Sequence, residues 1–100
     1  MGKYNVRDID VIMRELVLPE LYSAQVKHPD WPDDLVRAAA IVSEEAGELT
    51  QAVNNYDEGH GDMDAIIREA IQTTAMGLRF LCNFVSEECA NQEIQRTESR

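Results

Sequence analysis

The residues of this chain that could do chemistry are acidic and closely grouped. Residues 44–48 read EEAGE, and a further acid, Glu69, follows in the next predicted helix. At about 100° per residue along a helix, Glu45 falls inside an apolar stripe and Glu48 lies at its margin, whereas Glu44 points further outward. Burying an ionised carboxylate without a partner costs several kcal/mol, so the cluster must take up a proton, pair with basic residues or hold a cation.

Besides uptake of a proton, two explanations that need no metal remain open at this stage. A run of acids on a helix is most often a solvated face, and these acids could instead pair internally with Arg68 or Arg79. Against a solvated face, Glu45 lies one turn from both Ile41 and Leu49. The apolar stripe that contains it runs through Ala38, Ile41, Leu49, Ala52 and Tyr56.

Glu69 repeats the pattern on the following helix, one turn from Ile66 and Thr73. Gln72, three residues later, offers a neutral amide oxygen nearby. A tight turn makes two consecutive helices antiparallel neighbours, and the two acidic stretches lie at similar heights from that turn. The sequence therefore predicts that carboxylates from both helices converge on a hard cation of the Mg²⁺ type.

Helical periodicity dominates the elements that must position these acids, and strand signals are almost absent. A first helix is predicted over residues 6–18, with Asn5 and Asp8 as a capping pair. Pro19 predicts a kink or a second start, followed by two further turns over residues 20–26. Residues 27–34 are rich in helix breakers and predict a loop.

A second helix is predicted over residues 32–56, with Pro32 in its first turn and Asp33 and Asp34 near its positive end. Two glycines in residues 57–61 end it, and Asp62 is the expected N-cap of a third helix that reaches about residue 85. We expect one helical domain over residues 1–86. The polar tail 87–100 is predicted as a short helix or a disordered segment.

The third helix is apolar around most of its circumference, which indicates burial on nearly all sides. A narrow polar strip on it carries Arg68, Gln72, Arg79 and Asn83, and a face of small residues contains Ala70, Thr74 and Gly77. Two other helices can hardly bury such a surface. We therefore expect an all-α bundle of three main helices and a short C-terminal helix, completed by assembly into a homo-oligomer.

Composition narrows the partners and the location. Nineteen acidic residues against nine basic ones give a net charge of −10 and a pI near 4.4, which disfavours nucleic acids and anionic membranes. No apolar run approaches the ~18 residues of a membrane span, and no signal-peptide pattern is seen. Cys82 and Cys89 are expected to be free thiols in a reducing cytoplasm.

The EEAGE run, with Glu69 in the next helix, resembles the EExxE…ExxD signature of MazG-type all-α nucleoside triphosphate pyrophosphatases over about residues 7–85. The resemblance implies Mg²⁺-dependent cleavage of a (d)NTP to the (d)NMP and pyrophosphate, in the clearance of unwanted nucleotides, by a homodimer or homotetramer. Mn²⁺ is a second candidate metal. Glu45, Glu48 and Glu69 match metal ligands. Glu44 matches the glutamate that orients or deprotonates the attacking water.

One signature position departs from the family pattern, because its last aspartate is Gln72 here. The loss of one negative charge predicts weaker metal binding. An inactive nucleotide-binding or oligomeric helical module is therefore an alternative, and a pyrophosphohydrolase acting on phosphoribosyl-ATP is a weaker one. Trp31 is a candidate for stacking on the nucleobase, and Lys27 and Arg79 are candidates for contact with the phosphates.

Overall fold

The computed structural model describes residues 5–85, which form helices joined by two loops. The elements are α1 (Val6–Ile12), a π-helical turn (Met13–Val17), α2 (Leu18–Lys27), α3 (Leu35–Asp57) and α4 (Met63–Phe84). No strand occurs within this range, so the predicted all-α class is confirmed. The predicted C-terminal helix and the tail 87–100 lie outside the described residues.

The α1 helix, the π-helical turn and α2 form one continuous rod over residues 6–27, the first rod, which passes through Pro19 without a loop. The capping box between Asn5 and Asp8 begins α1, as predicted, with both reciprocal hydrogen bonds at 3.2 Å. The chain then widens into the π-helical turn immediately before Pro19, which occupies the first turn of α2. A proline ring clashes with the carbonyl four residues earlier in a regular α-helix, and a wider turn is one way in which a helix accommodates such a disturbance.

Helix α3 begins three residues later than predicted. Asp34 has extended backbone angles, and its side chain accepts a hydrogen bond from the Val36 N–H at 3.2 Å, so Asp34 is the N-cap. Pro32 and Asp33 consequently lie in the loop, and the prediction that they belong to the first turn is wrong. The local reason is the Asp34 side chain, which satisfies a free backbone donor where the helix starts.

The turn between α3 and α4 makes these helices antiparallel neighbours. Gly59 adopts a positive φ of 84°, a conformation that favours glycine. A Cβ atom on Gly61 would lie 3.2 Å from the Asn55 Cβ, so glycine also allows the chain to pass close to the end of α3. Asp62 caps α4 as predicted, since its carboxylate accepts from the Ala65 N–H at 2.8 Å.

The hydrophobic core of the chain is small. Val17, Leu21 and Ala75 form a buried cluster between the first rod and α4, flanked by the half-buried Met13, Leu18, Met76 and Leu78. Ala38 is the one buried residue of α3. The predicted apolar stripe of α3 holds through Ala52, but Tyr56 is 48% exposed and the half-buried residue at that end is Asn55.

Arg79 on α4 is the most buried polar residue among residues 5–85, at 3% exposure. Its guanidinium donates to the carbonyl oxygens of Ala24 at 3.5 Å, of His28, and of Asp30 at 3.4 Å. These carbonyls belong to the last turn of α2 and the residues after it, where a helix leaves acceptors without intrahelical partners. At this position the predicted polar strip of α4 therefore faces the protein interior.

We predict that Arg79→Lys lowers the free energy of unfolding by about 2 kcal/mol or more, because lysine cannot reproduce a planar fork that reaches several carbonyls. Urea denaturation followed by circular dichroism measures the change. Arg68→Lys is the matched control, since Arg68 is exposed on the same helix and should change stability by less than about 0.5 kcal/mol. Equal effects of the two variants would contradict the anchoring role of Arg79.

Candidate metal centre

Three glutamates from two helices meet at one point in the seam between α3 and α4. Glu45, Glu48 and Glu69 each present one carboxylate oxygen, and these three oxygens lie within 4.8 Å of one another. The three-residue spacing places Glu45 and Glu48 on neighbouring parts of the α3 surface. The tight turn at residues 58–62 brings Glu69 alongside them, so the structure brings together the three acids that the sequence predicted as ligands.

The acids are partly withdrawn from water. Glu45 and Glu69 are half-buried and Glu48 is exposed. One oxygen of Glu45 and one of Glu69 (Oε2 in both) are buried and have no hydrogen-bond partner among the described residues. Buried polar atoms are nearly always hydrogen-bonded in folded proteins, so two unpartnered carboxylate oxygens at one place indicate a position suited to a positively charged group.

The electrostatic state of Glu45 reflects this crowding. Burial raises the pKa of the Glu45 carboxyl above its ordinary value of 4.5, and the nearby negative charges of Glu48, Glu69 and Glu44 raise this pKa further, with a contribution from side-chain hydrogen bonding to Glu48. Burial and like charge both make the ionised form less favourable. A cation among the three carboxylates would offset the repulsion between their negative charges, because it attracts all three.

Arginine does not neutralise the cluster within the part of the chain that the structure describes. The one ion pair between side chains in residues 5–85 is Arg14–Glu15, at 3.2 Å on the surface. Arg79 is held by backbone carbonyls and Arg68 is exposed. Internal pairing with Arg68 or Arg79, one of the two explanations without a metal, is therefore wrong for these residues, and burial of Glu45 and Glu69 also argues against a fully solvated face.

The donor set fits a hard divalent cation. Oxygens on opposite sides of a Mg²⁺ ion lie about 4.2 Å apart, given metal–oxygen distances of ~2.0–2.1 Å. The 4.8 Å limit on the three oxygens is close enough for small side-chain rotations to close the difference. Three carboxylates also supply the negative charge that such an ion requires, so Glu45, Glu48 and Glu69 are the residues that would hold it.

Gln72 and Glu44 occupy different positions beside the cluster. Gln72 is half-buried and lines the same cavity of about 200 Å³ as Glu45, between α2 and α4. Glu44 is exposed at the edge of the site, where its charge contributes to the raised pKa of Glu45. Gln72 thus lines a cavity beside Glu45, and Glu44 is exposed to solvent next to the cluster.

The three residues predicted to contact substrate lie on the side of the site towards α2. Lys27 is exposed and lines the 200 Å³ cavity. The Arg79 guanidinium carbon lies 5.1 Å from the centre of the Trp31 ring, a distance typical of a cation–π contact. Trp31 is half-buried, and its Nε1 atom is buried without a partner among the described residues. Arg79 therefore already covers one face of the Trp31 ring.

A second cavity lies on the opposite side of the acids and was missed from the sequence. It measures about 300 Å³ and is lined by Glu48, Glu69 and a pair of amide side chains, Gln51 and Asn55, among others. The available signal was the spacing of four between Gln51 and Asn55, on the helix that carries Glu48. The acids thus separate a cavity lined in part by basic residues from one that has no basic residue in its lining.

Comparisons with known proteins give no relative: no protein-family model, no curated protein and no solved structure matches the chain. Within residues 5–85, no helix combines the length and the apolar character needed to cross a membrane. The function is therefore inferred from the three carboxylates, the cavities on either side of them and the helices that hold them.

We predict that Glu45→Gln stabilises the metal-free protein at pH 7 by a few degrees in Tm. Each like-charge contact costs a few tenths of a kcal/mol, and 1 kcal/mol shifts Tm by about 4–8 °C in a domain of this size. Because the folded pKa of Glu45 is raised above 4.5, its contribution favours the folded state below pH 4.5 and is lost as the pH rises through the folded pKa. The advantage of the variant should therefore disappear in acid.

Thermal unfolding with and without Mg²⁺, at pH 4 and pH 7, measures both effects. Mg²⁺ should raise the Tm of the unchanged protein at pH 7 and have little effect on Glu45→Gln, because binding to the folded state alone stabilises it. Glu44→Gln, which removes a charge from an exposed neighbour, should respond to Mg²⁺ like the unchanged protein. A Glu45→Gln variant that is less stable without metal at pH 7 would contradict the repulsion described above.

Proposed function

We propose that this protein is a Mg²⁺-dependent nucleoside triphosphate pyrophosphohydrolase that converts a (d)NTP and water to the (d)NMP and pyrophosphate. The observation that carries the proposal is the convergence of Glu45, Glu48 and Glu69, with two buried oxygens lacking partners. These are the acids through which the sequence resembles the MazG-type signature. The corresponding cellular role is the clearance of unwanted nucleotides in the cytoplasm. Mn²⁺ is an alternative metal.

The chain's own residues have distinct parts in this proposal. Glu45, Glu48 and Glu69 would hold the metal, and Gln72 would add a neutral oxygen at the edge of the site. A bound divalent ion supplies positive charge that offsets the phosphate oxygens and makes a bound water more acidic. Two of these carboxylates, Glu45 and Glu69, are half-buried, and electrostatic interactions are stronger there than in bulk solvent.

Glu44 is the proposed base. During hydrolysis a water oxygen bonds to phosphorus, the P–O bond between the α- and β-phosphates breaks, and the proton of the water must be accepted. Glu44 is exposed beside the cluster, so its carboxylate is free to turn towards a water at the edge of the site. Positioning and charge stabilisation are the main demands that phosphoryl transfer makes on a protein.

Lys27 is the proposed phosphate contact, since it is exposed on the cavity that Glu45 and Gln72 also line. Arg79 would act mainly by its charge, because its two terminal nitrogens already donate to carbonyl oxygens and its Nε is buried. Trp31 could offer a base only the ring face that Arg79 does not cover. A triphosphate and this chain, which has a net charge of −10, are both negatively charged and repel each other. A bound cation is therefore necessary for their association.

A second candidate function is a helical module that binds nucleotides without hydrolysing them. The observation in its favour is Gln72, which replaces the last acid of the signature by a neutral amide. With one negative charge fewer, the site would bind a metal ion less tightly and could fail to support turnover. Both candidates share the metal and the nucleotide, so only a measurement of product separates them.

Self-association is part of the same proposal. The α4 helix leaves Met63, Ile67 and Leu81 about half exposed, although these residues are apolar. Two apolar grooves border this helix: one lies against the first rod and contains Ile67, Ala70 and Thr74, and the other lies against α3 and contains Gly77 and Leu81. A homodimer or homotetramer would cover these grooves with a second copy and enlarge a core that is small in the single chain.

We predict that the protein releases pyrophosphate from at least one (d)NTP in the presence of Mg²⁺, and that Glu69→Gln lowers kcat at least 100-fold by removing a ligand charge. A panel of nucleotides with a coupled pyrophosphate assay measures this activity. Glu58→Gln, at an exposed acid outside the cluster, is the matched control and should be fully active. Absence of release with every nucleotide, with Mg²⁺ and with Mn²⁺, would favour the non-catalytic module.

We predict further that Leu81→Glu shifts the protein towards the monomer, because it would place a charge in the buried interface. Light scattering coupled to size-exclusion chromatography measures the molecular mass over a range of concentrations. Val26→Glu is the control, since Val26 is 83% exposed on α2 and lies outside both grooves. A monomer of the unchanged protein at all concentrations would refute the assembly.

A further inference from the structure

The cavity at the turn end of the α3–α4 seam has the properties of a site for an uncharged ring. It borders the acidic cluster through Glu48 and Glu69, and its remaining lining residues are Gln51, Ala52, Asn55, Gly61 and Ala65. No basic residue is among them. A phosphate would meet only acids and amides there without a metal, so the cavity does not suit the phosphate chain of a nucleotide.

The amide pair gives the cavity a hydrogen-bonding wall. The Gln51 Nε2 donates to the Asn55 Oδ1 at 2.9 Å, which fixes the two amides relative to each other. This arrangement leaves the Gln51 Oε1 as an acceptor and the Asn55 Nδ2 as a donor. A donor and an acceptor side by side complement the edge of a nucleobase, on which exocyclic groups and ring nitrogens alternate in the same way.

The other walls fit a flat ring. Ala52 and Ala65 present only methyl groups, and the absence of a side chain at Gly61 lets the turn approach Asn55 closely. The volume of about 300 Å³ falls at the lower end of the range for small-molecule sites. On the other side of the acids, the cavity near Lys27 is smaller, at about 200 Å³, and Trp31 is not among its lining residues, so it offers a base less room.

We infer that Gln51 and Asn55 recognise the nucleobase of the substrate, and that the substrate lies across the acids with its base at the turn end of the seam and its phosphates towards Lys27. The inference rests on the proposed function for the identity of the substrate class. It assigns base selectivity to an amide pair on α3, which is separate from the metal ligands. It also gives the bound nucleotide a direction along the seam.

The test compares nucleotides with a ligand that has no base. Gln51→Met and Asn55→Leu keep the side-chain size and remove the hydrogen bonds, and Asn54→Leu is the matched control one residue outside the cavity. We expect each cavity variant to lower kcat/KM for the preferred nucleotide by about 10-fold or more and to reduce the preference among bases. Inhibition by magnesium tripolyphosphate should change less than about 2-fold, because that ligand occupies only the phosphate and metal positions.

A second variant tests the cavity by volume alone. Ala65→Leu fills the space without changing charge and keeps a good helix former at that position. This variant should weaken the binding of nucleotides at least 10-fold and leave inhibition by tripolyphosphate unchanged. Unaltered base preference in all three variants, with normal circular dichroism, would overturn the inference while the proposed hydrolysis stands.

The two proposals can fail separately. If the unchanged protein releases no pyrophosphate, the proposed hydrolysis fails, and the same comparison is made with dissociation constants from calorimetry. Loss of nucleotide affinity in Gln51→Met and Asn55→Leu, with tripolyphosphate affinity retained, would then still support base recognition by the amide pair. An equal loss of affinity for nucleotides and for tripolyphosphate in these variants would overturn base recognition by the amide pair. The same conclusion would follow if neither ligand bound to the unchanged protein.

Discussion

Mutual repulsion among Glu45, Glu48 and Glu69 is the constraint on which the proposed site depends. Their oxygens lie within 4.8 Å of one another in a seam where two of the residues are half-buried, and both burial and like charge disfavour ionisation. A chain with no use for this arrangement would be more stable without it. The free energy needed to hold the acids together comes from the antiparallel contact of α3 and α4, which Gly59, Gly61 and the Asp62 cap make possible.

The placement of positive charge complements this constraint. Arg79, the buried cation of the described residues, is committed to the carbonyls at the end of α2 and to the Trp31 ring. It therefore fixes the first rod against α4 without neutralising the acids. If Arg79 paired with Glu45 instead, the seam would lose both its anchor for α2 and its unpartnered oxygens. Arg79 thus stabilises the packing of the helices and leaves the acids of the proposed metal site without an arginine partner.

The features that the sequence predicts well are those set by local rules. Helical periodicity and a short glycine turn were enough to place Glu45, Glu48 and Glu69 together, and Asn5 and Asp62 were recognisable as caps. The π-helical turn before Pro19, the inward direction of Arg79 and the Gln51–Asn55 pair were not predicted. Each of these depends on a partner elsewhere or on the register of one helix against another, which periodicity does not specify. The sequence predicts that Tyr56 faces the seam, whereas the half-buried residue at that end is Asn55. A shift of one residue in register therefore changes which side chain lines the cavity.

Two features of the single chain lower the stability of its fold. The acids repel one another, and apolar residues such as Met63, Ile67 and Leu81 remain about half exposed beside a small core. Any ligand that binds only the folded state stabilises it, so a cation between the carboxylates and a second copy on α4 would each stabilise this fold. Helix α4 carries Glu69 as well as those apolar residues, so the proposed metal site and the proposed interface share one element of the fold.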